Sequence, residues 1–170
     1  MTHAPHELRA RARDFVLREA EEHGFAVHGF DKVTEWRAVM AASRASLAPR
    51  GFGRTSYHLM ETLQMGLVPI HVYTDVPWVP YARVFARIGF AANVSGLPAV
   101  MHTIHRMSAA ELEEREALAV RLRESHFSEA GLMAQISRFM LDGGSDLLCQ
   151  PLPVSRTDEP VRCRGGVVVR

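Results

Sequence analysis

Residues 46–70 read SLAPRGFGRTSYHLMETLQMGLVPI, and the predicted fold rests on the order of elements in this segment. It contains, in order, a short apolar strand, a loop rich in glycine and arginine, an amphipathic helix over 56–65 and a second apolar strand over 68–72. In an open α/β sheet, ligands bind at the edge formed by the carboxyl ends of the strands. The free N–H groups at the start of a helix also favour phosphate. The order of elements therefore predicts an anion-binding loop at this edge.

The loop itself carries residue types that suit phosphate. Gly51 and Gly53 let the backbone approach a ligand with no Cβ in the way. Arg50 and Arg54 offer permanently charged, forked donors that match phosphate oxygens. Glycine also marks ordinary turns, and arginine is commonly a solvated surface charge, so the pattern alone leaves a plain surface loop open.

The helix after the loop begins at a capping position. Thr55 and Ser56 are both good N-cap residues, and a capping hydroxyl at this point can also reach a bound anion. The apolar side that should pack on the sheet contains Leu59, Met60, Leu63 and Leu67. Glu61 lies on the opposite side with His58 beside it, so its carboxylate is predicted to face solvent or a cleft. There it could accept two hydrogen bonds from the hydroxyls of a ribose.

The loop after the second strand, over 73–80, contains two prolines, Asp75 and Trp78. Flat aromatic faces pack on the apolar side of sugars, so Asp75 and Trp78 are candidates to contact a sugar ring. A role for Trp78 in the core or at a hinge stays open, because large aromatic side chains are usually well buried.

Strands alternate with helices along the chain, which predicts an α/β fold with a parallel sheet flanked by helices, in the manner of a Rossmann-like half. Residues 1–144 are predicted to form this domain and 145–170 a poorly ordered tail. Ser108 and Glu111 have the spacing of a capping box. Further helices are expected over 6–22, 33–43, 81–87, 97–107, 108–124 and 127–141, and further strands over 25–27, 45–48 and 90–94.

Composition limits the function classes. Among 170 residues, 20 Lys and Arg balance 19 Asp and Glu, and the net charge of +1 gives no electrostatic reason to expect a nucleic acid partner. No apolar run approaches the roughly 20 residues that span a bilayer, and the start lacks the apolar core of a secretory leader. The expectation is a soluble, cytoplasmic chain as it stands.

Cysteine and histidine give no metal-type cluster. Cys149 and Cys163 could form a disulfide or remain two thiols. His102 and His105 are three residues apart and could share a helix face, but two histidines alone are not a typical metal site. No metal is expected.

The whole motif resembles the exostosin family of glycosyltransferases. Pro49-Arg50-Gly51, then Ser56, Glu61 and Gly66-Leu67-Val68-Pro69 stand in the family's order and spacing. The similarity continues through Asp75-Val76-Pro77-Trp78-Val79-Pro80-Tyr81. It covers residues 43–105, and 106–141 fit it by pattern only.

The resemblance implies the carboxyl-terminal, donor-binding half of a two-domain enzyme of the GT-B type. Such an enzyme moves a sugar from a nucleotide sugar, in this family a uridine diphosphate sugar, to a glycan or other hydroxyl acceptor without a metal. By this resemblance, Arg50 and Ser56 hold the diphosphate, Gly51 and Gly53 give the loop its approach, and Glu61 binds the ribose. Exostosin-like enzymes of animals and plants are typically Golgi membrane proteins, and no such anchor is visible in this chain.

Two departures from the family pattern bear on the function. His58 occupies a position where the family often has arginine, so donor affinity is expected to be lower or dependent on pH, unless Arg54 substitutes. Residues 86–90 replace an Asp-Trp pair.

The general base of such enzymes commonly comes from an amino-terminal domain, so a missing domain or a partner chain is expected to supply it, and no catalytic residue is assigned. The alternatives are a non-catalytic nucleotide- or phosphate-binding module, a truncated fragment without activity of its own, and a remnant of the fold with no ligand.

Overall fold

The computed structural model describes residues 5–24, 26–27 and 35–142. In chain order the elements are α1 (Pro5–His23), α2 (Trp36–Ala41), β1 (Ala45–Pro49), α3 (Tyr57–Gln64), β2 (Val68–Tyr73), α4 (Ala82–Ile88), β3 (Phe90–Asn93), a 3-10 turn (Val94–Gly96), α5 (Leu97–Arg106), α6 (Ala109–Leu122), a π-helical turn (Arg123–Phe127) and α7 (Glu129–Asp142). No helix in these ranges is both long and apolar enough to cross a membrane.

Within the described ranges, the strands form one parallel sheet of three strands in the order β1-β2-β3. Leu47 lies opposite Ile70, and Val72 lies opposite Ala92. Helices α3 and α4 connect neighbouring strands and pack on the same face, as right-handed crossovers in a consecutive strand order require. The predicted α/β fold with a parallel sheet flanked by helices is confirmed.

Alternate residues of each strand face two separate cores. Ala48 points towards α3 and α4, where it packs with Leu59, Leu63 and Phe85. Ile70 and Val72 of β2 point to the other side and pack with Leu8 and Ala12 of α1 and Leu97 of α5. Because both faces are covered, the strands are largely apolar, which is typical of parallel sheets.

The turn between α3 and β2 depends on a glycine. Gly66 has a φ of +73°, and the N–H of Leu67 behind it donates to the carbonyl of Thr62 at 3.1 Å. This left-handed conformation closes the end of a helix and favours glycine. A Cβ added to Gly66 would lie 2.9 Å from Cγ2 of Val120 on α6, so the packing of α6 excludes a side chain there as well.

The carboxyl-terminal helices differ from the prediction at one junction. Ser108 and Glu111 form the predicted capping box. The α-helix ends at Leu122 rather than at residue 124, and the π-helical turn follows it directly. The N–H of Ser128 donates to the carbonyl of Arg123 at 2.7 Å and closes this turn. A Cβ on Gly131 would lie 2.5 Å from the backbone oxygen of Glu124, so α7 crosses the turn in direct contact with its backbone.

Two predicted strands are also corrected. Ala26 and Val27 form no strand, and Phe25 lies outside the described residues. The third strand ends at Asn93 rather than at residue 94, because the Asn93 side chain accepts hydrogen bonds at 2.8 Å from the N–H of Gly96 and the hydroxyl of Ser95 and so caps the 3-10 turn. The tail over 145–170, with Cys149 and Cys163, lies outside the described residues.

Candidate functional site

The carboxyl ends of β1 and β2 place the two candidate loops next to each other. The first covers residues 50–56 and the second residues 74–81. The N–H of Arg50 donates to the carbonyl of Val72 at 2.8 Å, which extends the pairing of the two strands by one residue. The predicted site residues of both loops therefore lie at the edge where α/β sheets bind ligands.

The Arg50 side chain joins these two loops. Its Nη1 donates to Asp75 Oδ1 at 2.7 Å and to Thr74 Oγ1 at 2.8 Å. Its Nε donates to the carbonyl of Gly53 at 3.0 Å, and Nη2 donates to that of Phe52 at 3.3 Å. Only 14% of the side chain is exposed. Most hydrogen-bond donors of Arg50, which the sequence predicts to bind phosphate, thus bind groups of the protein itself.

Asp75 is a stable partner for this arginine. A hydrogen bond from the backbone of Val76, together with the nearby charges of Arg50 and Arg54, holds the pKa of the Asp75 carboxyl below its usual value. Asp75 therefore stays ionised under ordinary conditions, and its contact with Arg50 is an ion pair. The sequence analysis expects Asp75 to contact a sugar; this contact stays a prediction, and in the structure the carboxylate binds the loop arginine.

Arg54 is the arginine of this loop that faces solvent. Its residue is exposed, and its guanidinium has no hydrogen-bond partner in the part of the chain that the structure describes. Gly53 beside it is also exposed, and a Cβ there would meet nothing within 4 Å. Neither Gly51 nor Gly53 has a positive φ, so the fold does not require glycine at these positions. The bare backbone leaves room for a ligand to approach.

Ser56 caps α3, as the sequence predicts. Its Oγ accepts a hydrogen bond from the N–H of Leu59 at 3.1 Å, and the residue itself is buried. The residues on either side of Ser56 make no such cap. The Thr55 hydroxyl is buried without a hydrogen-bond partner among the described residues, and Tyr57 is 91% exposed. The N-terminal end of α3 follows the loop that contains Arg54 directly in the chain. The helix dipole favours an anion at this end.

Glu61 and His58 lie together on the partly exposed side of α3. His58 Nδ1 is 3.4 Å from Glu61 Oε2, and His58 Nε2 is 3.0 Å from the hydroxyl of Ser46 on β1. Both ring nitrogens of His58 are therefore engaged within the protein. His58 occupies the family's arginine position, but in this arrangement it contacts a carboxylate and a hydroxyl rather than open solvent.

A shallow cavity of about 410 Å³, open to solvent, lies between α2 and α3. Its lining residues are Trp36, Arg37, Ala41, Glu61, Gln64 and Met65. The guanidinium of Arg37 lies 5.3 Å from the ring centre of Trp36, within the range of a cation–π contact. The cavity thus combines a flat aromatic ring, a carboxylate and an amide, which can hold a molecule with both a planar ring and hydroxyl groups.

His71 lies in the middle of β2 with no exposed surface. Its Nδ1 is 3.0 Å from the carbonyl of Ala48, and its Nε2 is buried without a hydrogen bond to any described residue. Burial lowers the pKa of His71, and this effect exceeds that of the Ala48 and Arg54 carbonyls, which raise it. The ring is therefore neutral at physiological pH, and Nδ1 carries its proton and donates to Ala48.

The structure brings together two sets of the predicted residues. One contains Arg50, Gly51, Gly53 and Asp75, and the other contains His58 and Glu61. Trp78 is half-buried in the second loop. In the described ranges, no group of three or more His, Cys, Asp or Glu side chains could hold a metal ion.

Sequence reasoning missed three residues that matter for this geometry. Trp36 was predicted as part of the helix over 33–43 and not as a site residue, and the structure places it in the lining of the cavity. Thr74 was not singled out as a partner of Arg50. Ser46 was taken as part of an apolar strand, although it has the same parity as Ala48 and therefore faces α3. That parity was the available signal for its contact with His58.

A comparison with protein-family models gives no match for this chain, and a comparison with curated proteins gives none either.

Proposed function

We propose that the chain binds a nucleotide sugar and supplies the donor-binding half of a glycosyltransferase. The observation that carries the proposal is the position of Glu61, which lines the cavity on the helix that starts at the glycine-arginine loop. A carboxylate placed in this way can accept hydrogen bonds from both hydroxyls of a ribose. Trp36 in the same cavity offers a flat ring on which a nucleobase can stack.

The start of α3 suits the diphosphate of such a donor. Arg54 offers an exposed fork of donors, and the N-terminal end of α3 adds N–H groups and a favourable dipole. From Ser56 to Glu61 the helix rises about 7.5 Å along its axis, a distance that a nucleoside diphosphate can span from its ribose to its phosphates. Arg50 supports this site by holding the loop and does not serve as the first phosphate ligand.

In the proposed reaction, the bond between the anomeric carbon of the sugar and the diphosphate oxygen breaks, and a bond from that carbon to the acceptor oxygen forms. The nucleoside diphosphate leaves with the bonding electron pair, and the proton of the acceptor hydroxyl passes to a base. The resemblance to exostosins implies that an amino-terminal domain or partner chain supplies this base. The part of Arg54 and the α3 N–H groups is to stabilise the charge that grows on the leaving phosphate.

Titration with uridine diphosphate by calorimetry tests the site. Glu61→Gln is expected to weaken binding by about 1–3 kcal/mol, because ribose hydroxyls lose a charged acceptor. Thermal stability should hardly change, since 45% of the Glu61 side chain is exposed. Glu114→Gln, an exposed carboxylate on α6, is the matched control and should bind normally. Absence of binding at millimolar uridine diphosphate would contradict the proposal.

A non-catalytic nucleotide-binding module is the second candidate function. The ion pair of Arg50 with Asp75 favours it, because the arginine that the resemblance assigns to the diphosphate is engaged by the protein. A comparison of uridine diphosphate with uridine diphosphate glucose separates the two candidates. A donor site is expected to bind the nucleotide sugar more tightly, whereas equal affinities indicate a site that recognises the nucleotide alone.

A further inference from the structure

Three side chains form a continuous hydrogen-bonded chain between the sheet and the cavity. Ser46 Oγ lies 3.0 Å from His58 Nε2, and His58 Nδ1 lies 3.4 Å from Glu61 Oε2. Ser46 is half-buried on β1, and 28% of the His58 side chain is exposed. Glu61 is the member of this chain that lines the cavity.

The chemistry of the three groups fixes which of them donates and which accepts in each of the two hydrogen bonds. An ionised carboxylate only accepts hydrogen bonds, so Nδ1 of a neutral His58 must carry the proton that it donates to Glu61. Nε2 is then an acceptor, and the Ser46 hydroxyl must donate to it. The Glu61 carboxylate therefore selects one of the two neutral forms of the imidazole ring, and the Ser46 hydroxyl holds the ring at its other nitrogen.

We infer that Ser46 is a positioning residue, which holds the His58 ring through Nε2 and thereby fixes the orientation of the Glu61 carboxylate in the cavity. The inference rests on the proposed function for what Glu61 binds, a ribose. Without the Ser46 hydroxyl, Nε2 loses its donor, so the ring can turn. Glu61 then loses the N–H that holds it, and its carboxylate samples more orientations.

The first test is the nitrogen NMR spectrum of the His58 ring in the ligand-free protein, assigned with a His58→Gln variant. In the neutral ring, the wild type should show a protonated Nδ1 and an unprotonated Nε2 that accepts a hydrogen bond. In Ser46→Ala the Nε2 signal should shift, because this nitrogen loses its donor, whereas Ser46→Thr, which keeps the hydroxyl, should retain the wild-type signal. Ser95→Ala is the control, since its hydroxyl binds Asn93 at the end of β3. An unchanged Nε2 signal in Ser46→Ala overturns the inference.

The second test compares uridine diphosphate with its 2′-deoxy form. Ser46→Ala should weaken binding of uridine diphosphate about fivefold, the factor expected for a lost hydrogen bond. Its effect on the 2′-deoxy nucleotide should be smaller, and Ser46→Thr should restore binding. An equal loss for both nucleotides overturns the inference, because it marks a general disturbance of the protein.

A substitute variant and the independence of the NMR experiment from binding keep a folding failure and a failure of the proposed function apart from a failure of this inference. Ser46→Cys retains the size of the side chain but donates weakly, and it replaces the alanine variant if that variant does not fold. If the wild type binds neither nucleotide, the proposed function fails, while the NMR experiment still decides whether Ser46 holds the His58 ring.

Discussion

Replacement of Arg50 by alanine should lower the stability of the folded chain, because this side chain connects the loops that follow β1 and β2. The side chain makes two short contacts from Nη1, at 2.7 Å to Asp75 and at 2.8 Å to Thr74, besides its contacts to loop carbonyls. A pair with an exposed partner is worth at most about 1 kcal/mol, and 43% of the Asp75 side chain is exposed. The hydroxyl and carbonyl contacts add about 1 kcal/mol, since water can replace them after truncation.

The expected loss is therefore about 2 kcal/mol, which corresponds to a fall in Tm of about 4–8 °C for a chain of this size. Thermal unfolding followed by circular dichroism measures it. Arg50→Lys should lose most of the same stability, because an ammonium cannot replace the planar fork. A double-mutant cycle with Asp75→Asn should give a coupling of up to about 1 kcal/mol.

One result would refute this reasoning. If Arg50→Ala unfolds at the same temperature as the wild type but no longer binds uridine diphosphate, Arg50 contacts the ligand directly. The contacts to Asp75 and Thr74 would then contribute nothing measurable to the fold, and the resemblance would have described the role of Arg50 better than the geometry does.

Three further substitutions test the fold around the site. Gly66→Ala should lower the free energy of unfolding by about 1–3 kcal/mol, because φ is +73° and the new Cβ would lie 2.9 Å from Val120; urea unfolding measures the loss. Gly131→Ala should cost about 2 kcal/mol or more in the same assay, because its Cβ would lie 2.5 Å from the Glu124 oxygen. Burial lowers the pKa of His71 in the folded state, so the unfolded state binds more protons once the pH falls below about 6.5. Stability should therefore fall as the pH drops through this window, and His71→Asn should flatten the dependence in unfolding curves recorded from pH 7 to pH 5.

Each of these has a result that counts against it. Wild-type stability in Gly66→Ala would mean that α6 moves away from the turn without cost. A similar result for Gly131→Ala would place α7 further from the π-helical turn. An unchanged pH dependence in His71→Asn would show that another histidine causes the loss of stability at low pH.

The sequence predicts the order of the central elements because each of them has a strong local pattern. Short apolar runs predict β1 and β2, a helical periodicity predicts α3, and Ser56 and Ser108 carry their capping signals next to the helices that they start. These features depend on a few neighbouring residues, so no tertiary information is needed to find them.

The contacts of the site depend on pairs that are distant in the sequence. Arg50 meets Asp75 only because β1 and β2 end side by side, and a loop pattern does not reveal that the arginine turns towards its neighbour. Trp36 lines the cavity because α2 and α3 lie on opposite sides of it, which no periodicity in either helix specifies. The π-helical turn escapes prediction for a similar reason, since Gly131 of the next helix packs against it.

The simple strand order has a consequence for the way in which the chain folds. Ala45 pairs with Val68 and Ile70 pairs with Phe90, so both strand pairs close loops of little more than twenty residues. Closing a loop of this length costs little entropy. Contacts between residues so close in the sequence allow the strands to pair quickly. The core that covers the α3 face, however, also needs Ala119, Leu122 and Phe127. During synthesis the sheet can therefore form early, while its apolar face waits for the π-helical turn to emerge from the ribosome.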